Sequence, residues 1–170
     1  GKQYEMQEPF LVVATQNPIE HEGTYRLPEA QLDRFLFKIN VGYPNLSQEI
    51  QIIKNQHSNK LEDKTDAVQK VISGVQLKNY QQIVKNILVE PQLLEYIAKI
   101  IINTRENQFL YLGASPRASL ALLTASKSFA AIRGRDFVTP EDIKEASYAV
   151  LRHRVMVSPE REMEGLTADE

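Results

Sequence analysis

The sequence predicts a mainly helical protein with a truncated α/β portion at its front, and two observations support this prediction. Up to about residue 45, the chain contains two apolar runs typical of strands, at residues 10–14 and 35–41. After residue 45, apolar residues recur at the three- and four-residue spacing of amphipathic helices. We therefore expect the last strands of an α/β core, followed by a bundle of about four helices.

The composition is that of an ordinary folded protein and excludes several kinds of site. Apolar residues make up 42% and charged residues 25% of the 170 residues. Cysteine is absent, which excludes disulfides, thiolate metal sites and cysteine nucleophiles. The three histidines lack metal-ligand spacing, and the apolar runs are too short to span a bilayer. The net charge of −2 gives no support to nucleic-acid binding.

Two predicted strands flank one short helix in the front portion. Residues 10–14 form a continuous apolar run, which is typical of a strand covered on both faces. Residues 35–41 alternate partly and form the second predicted strand. Two strands at this separation need an element between them, and Pro28 suits the first position of a helix that ends near Arg34.

The next two predicted helices have weaker signals. Asn45 or Ser47 can cap a helix that begins the second portion of the chain. Residues 57–65 are polar without an apolar period, so they are predicted to form a linker. A shorter helix is expected over residues 78–88.

Three stronger helices follow, each beginning at a proline: Pro91, Pro116 and Pro140. Thr139 precedes the last of them and is predicted to cap it, because acidic residues fill the first turn. The predicted inward faces are Leu93, Leu94, Ile97, Ile100 and Ile101 in the first helix, Ala118, Leu122, Ala125, Phe129 and Ile132 in the second, and Ile143, Ala146, Val150 and Leu151 in the third.

Arg117 stands at the start of a predicted helix, where the helix dipole favours acids and disfavours cations. It is either a solvated arginine that bends away from the helix end or one half of a site that an anion completes. A guanidinium beside a helix N-terminus suits phosphate well.

Arg34 and Asn17 also have two interpretations each. Arg34 lies near the end of the short predicted helix, where it can pair with Asp33 or a backbone carbonyl, or act on a ligand. Asn17 precedes a proline after a predicted buried strand, which is typical of a turn. The carboxyl end of such a strand is also where α/β proteins bind ligands.

Motifs that hold nucleotide phosphates or perform nucleophilic catalysis are absent from the sequence. There is no GxxxxGK[ST] loop, no apolar strand ending in Asp-Glu, and no Ser-His-Asp arrangement. These residues therefore have no visible means of holding the β- and γ-phosphates and Mg²⁺ unaided.

Five stretches of the sequence form recognisable motifs. They are ATQNPIE at 14–20, EGTY at 22–25, LPEAQLDRFLF at 27–37, GASPRA at 113–118 and RGRDFVTPED at 133–142. Together they resemble the MoxR branch of the AAA+ ATPases over residues 5–157. The chain departs from that branch at His21, commonly glutamine, and Arg26, commonly proline.

The resemblance implies the C-terminal part of such an ATPase, from sensor 1 to the helical lid, without the Walker A and Walker B segments. Residues 1–45 would be a remnant of the α/β core, 46–76 a connecting helix and linker, 77–157 the lid, and 158–170 a loose acidic tail. The Walker A strand would lie between the two predicted strands. Without that strand, the first 45 residues are expected to be poorly protected from exchange or to pair in another way, whereas the lid bundle is self-sufficient.

The resemblance also implies a role for each unusual residue. Asn17 would be the sensor 1 residue that orients the attacking water. Arg34 would be the arginine finger that reaches the nucleotide of a neighbouring subunit. Arg117 would be sensor 2, contacting the γ-phosphate of its own subunit's ATP. No residue is implied as a metal ligand.

The implied full-length protein is a cytoplasmic ring, a hexamer, that uses ATP and Mg²⁺ to remodel or assemble partner proteins such as those with von Willebrand A domains. The 170 residues alone would be inactive and would bind no cofactor tightly. A non-enzymatic helical protein-binding module is the alternative. A nucleic-acid motor, as in a related AAA+ branch, is disfavoured by the near-neutral charge.

Overall fold

The computed structural model describes residues 4–16, 27–58 and 68–170, and it is mainly helical with one small antiparallel sheet. This confirms the predicted fold class. The elements are α1 (Glu29–Leu32), α2 (Leu46–His57), α3 (Gly74–Asn86), α4 (Pro91–Glu106), β1 (Leu110–Leu112), α5 (Pro116–Ile132), α6 (Pro140–Leu151), β2 (Met156–Val157) and α7 (Pro159–Met163). Among these described residues, no helix combines the length and apolar character needed to cross a membrane.

Reciprocal caps fix the starts of α2 and α3. The Asn45 side chain accepts a hydrogen bond of 3.0 Å from the Gln48 N–H, and the Gln48 side chain accepts one of 2.8 Å from the Asn45 N–H. Ser73 and Gln76 form the same capping box at α3. Each box satisfies two backbone donors that a helix end otherwise leaves free. Because of this cap, α3 begins at Gly74, before the predicted residue 78.

The core lies between α5 and α6, with α4 packed against them. Its fully buried or nearly buried apolar residues on these helices are Ile97, Ile101, Ala118, Leu122, Ala125, Ala130, Ile143, Ala146 and Val150. Small alanines on α5 let the helices approach closely, and larger side chains fill the remaining space. The predicted inward faces are therefore largely confirmed. The exceptions are Leu94 on α4, which is 46% exposed, and Ile132, which is the last residue of α5 and is 81% exposed.

The two predicted strands of the front portion do not form strands in the structure. No ladder joins residues 10–14 or 35–41 to any described residue, and their apolar side chains are largely exposed, with Val41 at 90%. A strand needs a neighbour to satisfy its backbone N–H and C=O groups, and the described residues supply none. The short helix between them is present as α1, four residues long.

The small sheet was not predicted from the sequence, and residues 158–170 were predicted to form a loose acidic tail. Instead, β1 pairs antiparallel with β2, and α7 follows at once. The Arg161 guanidinium lies 4.6 Å from the centre of the Phe109 ring, and Arg152 Nε lies 2.9 Å from Asp169 Oδ1. These cation–π and ion-pair contacts tie residues 158–170 to the helices and sheet before them.

A buried acid, Asp142, closes the connection between α5 and α6. Its side chain is 0% exposed and accepts hydrogen bonds from Arg133 (2.7 Å), from Arg135 (2.7 and 2.8 Å) and from the Thr139 N–H (2.9 Å). Burial would raise the pKa of this carboxyl, but these donors outweigh burial and lower the pKa to about 2. The same turn uses Gly134 at φ +71°, a conformation that suits glycine.

Replacing Asp142 by Asn should lower the free energy of unfolding by about 2–4 kcal/mol, because two arginines lose their buried counter-charge. The pKa of Asp142 is lowered in the folded state, so its stabilising effect should be complete above about pH 4 and decline as the pH falls toward about 2. In D142N this acid-dependent loss should be smaller. Urea unfolding of both proteins at neutral and acidic pH measures the two effects.

The exposed Glu162 of α7 supplies the control, since Glu162→Gln should change stability little at either pH. Equal stability of D142N and the parent chain at neutral pH would contradict the importance assigned to this buried acid.

Candidate functional site

The structure describes two of the three predicted site residues. Arg34 directly follows Asp33 at the end of α1, and Arg117 lies in the first turn of α5. The structure brings Arg117 to the carboxylate of Asp33, the residue next to Arg34. Both predicted arginines therefore lie at the contact between the end of α1 and the start of α5, which we call the joint. Asn17 lies outside the described residues.

Asp33 is the centre of that joint, and three lid side chains bind its carboxylate. Oδ2 accepts from Arg117 Nη1 at 2.9 Å and from Ser115 Oγ at 3.0 Å, while Oδ1 accepts from Arg154 Nε at 2.9 Å. Burial acts to raise the pKa of Asp33, but the hydrogen bonds from Ser115 and Arg154 and the two positive charges hold it below its usual value. Asp33 is therefore a carboxylate at neutral pH.

The structure places one of the chain's own acids beside Arg117 at the start of α5. That anion is the Asp33 carboxylate, and the Arg117 side chain remains 54% exposed. Such an exposed pair contributes only about 0–1 kcal/mol to stability. Because a guanidinium carries five N–H donors, Arg117 keeps most of them for a second anion.

Ser115 precedes α5 but does not cap it with its side chain. Its hydroxyl donates to Asp33 instead. The negative charge at the start of α5 thus comes from Asp33, a residue distant in sequence. The helix dipole favours a negative charge at this end.

The Arg34 side chain is exposed, and it makes no hydrogen bond or ion pair with another residue of the described ranges. Pairing with Asp33, the structural interpretation from the sequence, is not observed. The carboxylate of Asp33 is already bound by three other side chains. The exposed side chain of Arg34 therefore follows directly after Asp33, which three side-chain hydrogen bonds hold in place.

Arg154 is the residue of this site that sequence reasoning missed. Its side chain is 1% exposed and donates five hydrogen bonds, which use every N–H of the guanidinium. Burial acts to lower the pKa of Arg154, and the bond to Asp33 opposes this, so the group stays charged. A basic residue just after a helix is common, so no local pattern pointed to this role.

His153 adds a contact to the same segment. Its Nε2 lies 3.0 Å from the Phe35 carbonyl oxygen, which assigns the ring proton to Nε2 because a carbonyl can only accept. Burial lowers the pKa of His153, and its Nδ1 is buried without a partner among the described residues. The neutral imidazole is thus the form that fits this position.

The start of α5 is held in place by the end of α4. Thr104 Oγ1 accepts from the Ala114 N–H at 2.9 Å, and Arg105 Nε donates to the Ala114 carbonyl at 2.8 Å. A Cβ atom on Gly113 would lie 2.6 Å from both Arg105 Cα and the Thr104 carbonyl oxygen. Only glycine therefore allows this close backbone approach, which sets the position of Arg117.

The exposed groups of the site are guanidiniums. Exposed guanidiniums give charge-assisted hydrogen bonds to phosphate oxygens, as Arg34 and Arg117 can do. Within the described residues, no group of His, Asp and Glu could hold a metal ion.

Comparison with known proteins gives matches over both portions of the chain. A family model described as the AAA lid domain matches residues 102–170, and one described as the ATPase family associated with various cellular activities matches residues 1–37. Chaperone MoxR1 of Mycobacterium tuberculosis is 44% identical over 93% of this chain and 43% of its own length. YeaC of Bacillus subtilis, an uncharacterized protein, is 40% identical over 99% of this chain and 52% of its own length.

Among solved structures, the chain resembles the crystal structure of a provisionally assigned ATPase from Cytophaga hutchinsonii. The TM-score is 0.84 at 35% identity, over 96% of this chain and 52% of that one. The chain thus spans about half the length of the curated relatives it matches.

Replacing Gly113 by Ala should destabilise the lid by about 1–3 kcal/mol, because the new methyl group meets backbone atoms of α4 that cannot yield. Thermal unfolding followed by circular dichroism measures the loss. Gly42 supplies the matched control: nothing lies within 4 Å of its added Cβ, so Gly42→Ala should leave the melting temperature unchanged or slightly higher. A G113A chain as stable as G42A would contradict the proposed close approach.

Proposed function

This chain belongs to the MoxR-like AAA+ ATPases, and from that membership we propose that its protein hydrolyses ATP in a ring of subunits, a hexamer. The ring uses ATP to remodel or assemble partner proteins in the cytoplasm, among them proteins with von Willebrand A domains. The name of the MoxR1 relative, a chaperone, supports this kind of work. The observation that carries the proposal is the ion pair that sets Arg117 beside Asp33, the residue immediately before the exposed Arg34.

We assign Arg117 to the γ-phosphate of its own subunit's ATP and Arg34 to the nucleotide of the neighbouring subunit. Phosphoryl transfer needs charge stabilisation on the transferred group, and arginine supplies it. The exposure of both side chains supports these roles, since each can reach an anion without breaking the core. Asn17 is assigned to the orientation of the attacking water by its motif alone.

Mg²⁺, when bound with ATP, would neutralise charge on the phosphates. The Walker A and Walker B segments are assigned to a part of the protein outside these residues. The 170 residues by themselves should neither hydrolyse ATP nor bind it tightly.

The division of the chain follows from these assignments. Residues 1–45 belong to the α/β core, 46–76 connect it to the lid, and 77–157 form the lid. The lid match continues to the last residue, and α7 is tied to the sheet, so we assign residues 158–170 to the lid as well.

Replacing Arg34 by Ala in the full-length protein should lower ATP hydrolysis by about 10³-fold and leave ATP affinity unchanged, because the residue acts on the neighbouring site. Steady-state hydrolysis and equilibrium nucleotide binding measure the two quantities. Adding subunits with an intact Arg34 but a replaced Walker A lysine should restore part of the turnover.

The exposed Lys38 provides the control, as Lys38→Ala should keep normal turnover. If R34A hydrolyses ATP at the parent rate, or if mixing restores nothing, Arg34 is not an arginine finger.

Replacing Arg117 by Ala in the full-length protein should weaken the preference for ATP over ADP by about 10- to 100-fold, through loss of a charge-assisted hydrogen bond to phosphate. Stability should change little, because the pair with Asp33 is exposed and the helix dipole opposes a cation there. Calorimetric titration with both nucleotides and thermal unfolding measure these effects.

Lys99, which forms an exposed ion pair with Glu95 on α4, is the matched control for loss of a lid cation. Unchanged nucleotide preference in R117A, together with a large loss of stability, would assign Arg117 a structural role instead.

A further inference from the structure

We propose that Arg154 is a positioning residue for Arg34. Its buried guanidinium holds the backbone on both sides of Arg34 against the end of α6, and so ties the arginine finger to the lid. This role rests on the proposed function of Arg34 in the neighbouring subunit's site.

The hydrogen bonds of Arg154 surround Arg34 along the chain. Nη2 donates to the Asp33 carbonyl at 2.9 Å and to the Phe35 carbonyl at 2.6 Å, which are the residues immediately before and after Arg34. Nη1 donates to the Leu36 carbonyl at 3.1 Å, and Nε to the Asp33 carboxylate at 2.9 Å. The remaining donor binds the Val150 carbonyl at 2.5 Å, which anchors the guanidinium to α6, the helix that precedes Arg154.

The geometry of these contacts requires arginine. A planar guanidinium directs five N–H groups outward in fixed directions, whereas lysine has three donors on one nitrogen. Lysine at this position could not satisfy both the carboxylate and the carbonyls. Carbonyls left without a donor at this partly buried place would weaken the attachment of the segment.

Two neighbouring residues strengthen the same attachment. His153 donates to the Phe35 carbonyl, and Arg152 Nη1 donates to the Lys38 carbonyl at 3.3 Å. The Lys38 N–H in turn donates to the Ala149 carbonyl at 2.9 Å. Hydrogen bonds from residues 149–154 therefore hold residues 33–38, the segment after α1, against the end of α6.

The arrangement gives Arg34 a fixed backbone and an exposed side chain that has no hydrogen-bond partner in the described ranges. A group that must reach across to another subunit gains from such pre-organisation, since less freedom is lost when it binds. Arg154 itself is buried and does not reach a nucleotide. Arg117 shares the Asp33 carboxylate with Arg154, so a second arginine also contacts the residue next to Arg34.

Hydrogen exchange on the full-length protein tests the positioning directly, without measuring activity. In R154K, amide exchange at residues 34–38 should rise at least about 10-fold, while exchange in α3 to α5 stays unchanged. Arg161→Lys, a change at a partly exposed lid arginine, should leave residues 34–38 unaffected. Unchanged exchange at residues 34–38 in R154K would overturn the proposal.

If R154K fails to fold, Asp33→Asn gives the same test in a milder form. This change removes the carboxylate charge but leaves the carbonyls bound by Arg154. A smaller rise confined to residues 34–38 is expected, and no rise there would overturn the proposal.

Mixed rings distinguish positioning from general damage to the lid. R154K should lose hydrolysis as R34A does, and subunits with an intact Arg34 but a replaced Walker A lysine should restore part of it. Loss without rescue would mean that Arg154 supports its own site, and would overturn the proposal. If R34A itself keeps full turnover, the proposed function fails, whereas the exchange experiment still decides whether Arg154 fixes this segment.

Discussion

The buried ion pair between Asp33 and Arg154 is the interaction through which the front portion is joined to the lid. The segment after α1 has no neighbouring strand among the described residues, so its carbonyls need other donors. Arg154 supplies four hydrogen bonds to Asp33, Phe35 and Leu36. Burying a guanidinium is costly unless every donor is bound, and here every donor is bound.

Two acidic residues, Asp142 and Asp33, bind side chains of the lid, and they differ in the sequence separation between the acid and its partners. Asp142 binds arginines that are seven and nine residues away, within one turn between two helices. Asp33 binds side chains that are 82 to 121 residues away. Asp142 therefore stabilises the lid itself, whereas Asp33 determines how the lid sits against the segment that carries Arg34. The first contributes to folding and the second positions the candidate site.

This difference in range explains what the sequence could predict. Prolines and capping residues are local signals, so the starts of α4, α5 and α6 were predicted correctly. A strand depends on a partner elsewhere, so residues 10–14 and 35–41 were predicted as strands that the described structure lacks. The motif around Arg34 and Arg117 indicated the site, but only the fold brings Arg117 to Asp33. Arg154 was missed because a cation after a helix is unremarkable until its distant partners are known.

A double-mutant cycle on Asp33 and Arg154 tests most directly whether this pair joins the two portions. Urea unfolding of D33A, R154A and the double variant gives the coupling energy between the two side chains. A coupling of at least about 2 kcal/mol is expected, because D33A leaves the buried charge of Arg154 without its carboxylate. Effects that add to within about 0.5 kcal/mol would show that the two residues act independently, and would contradict the account.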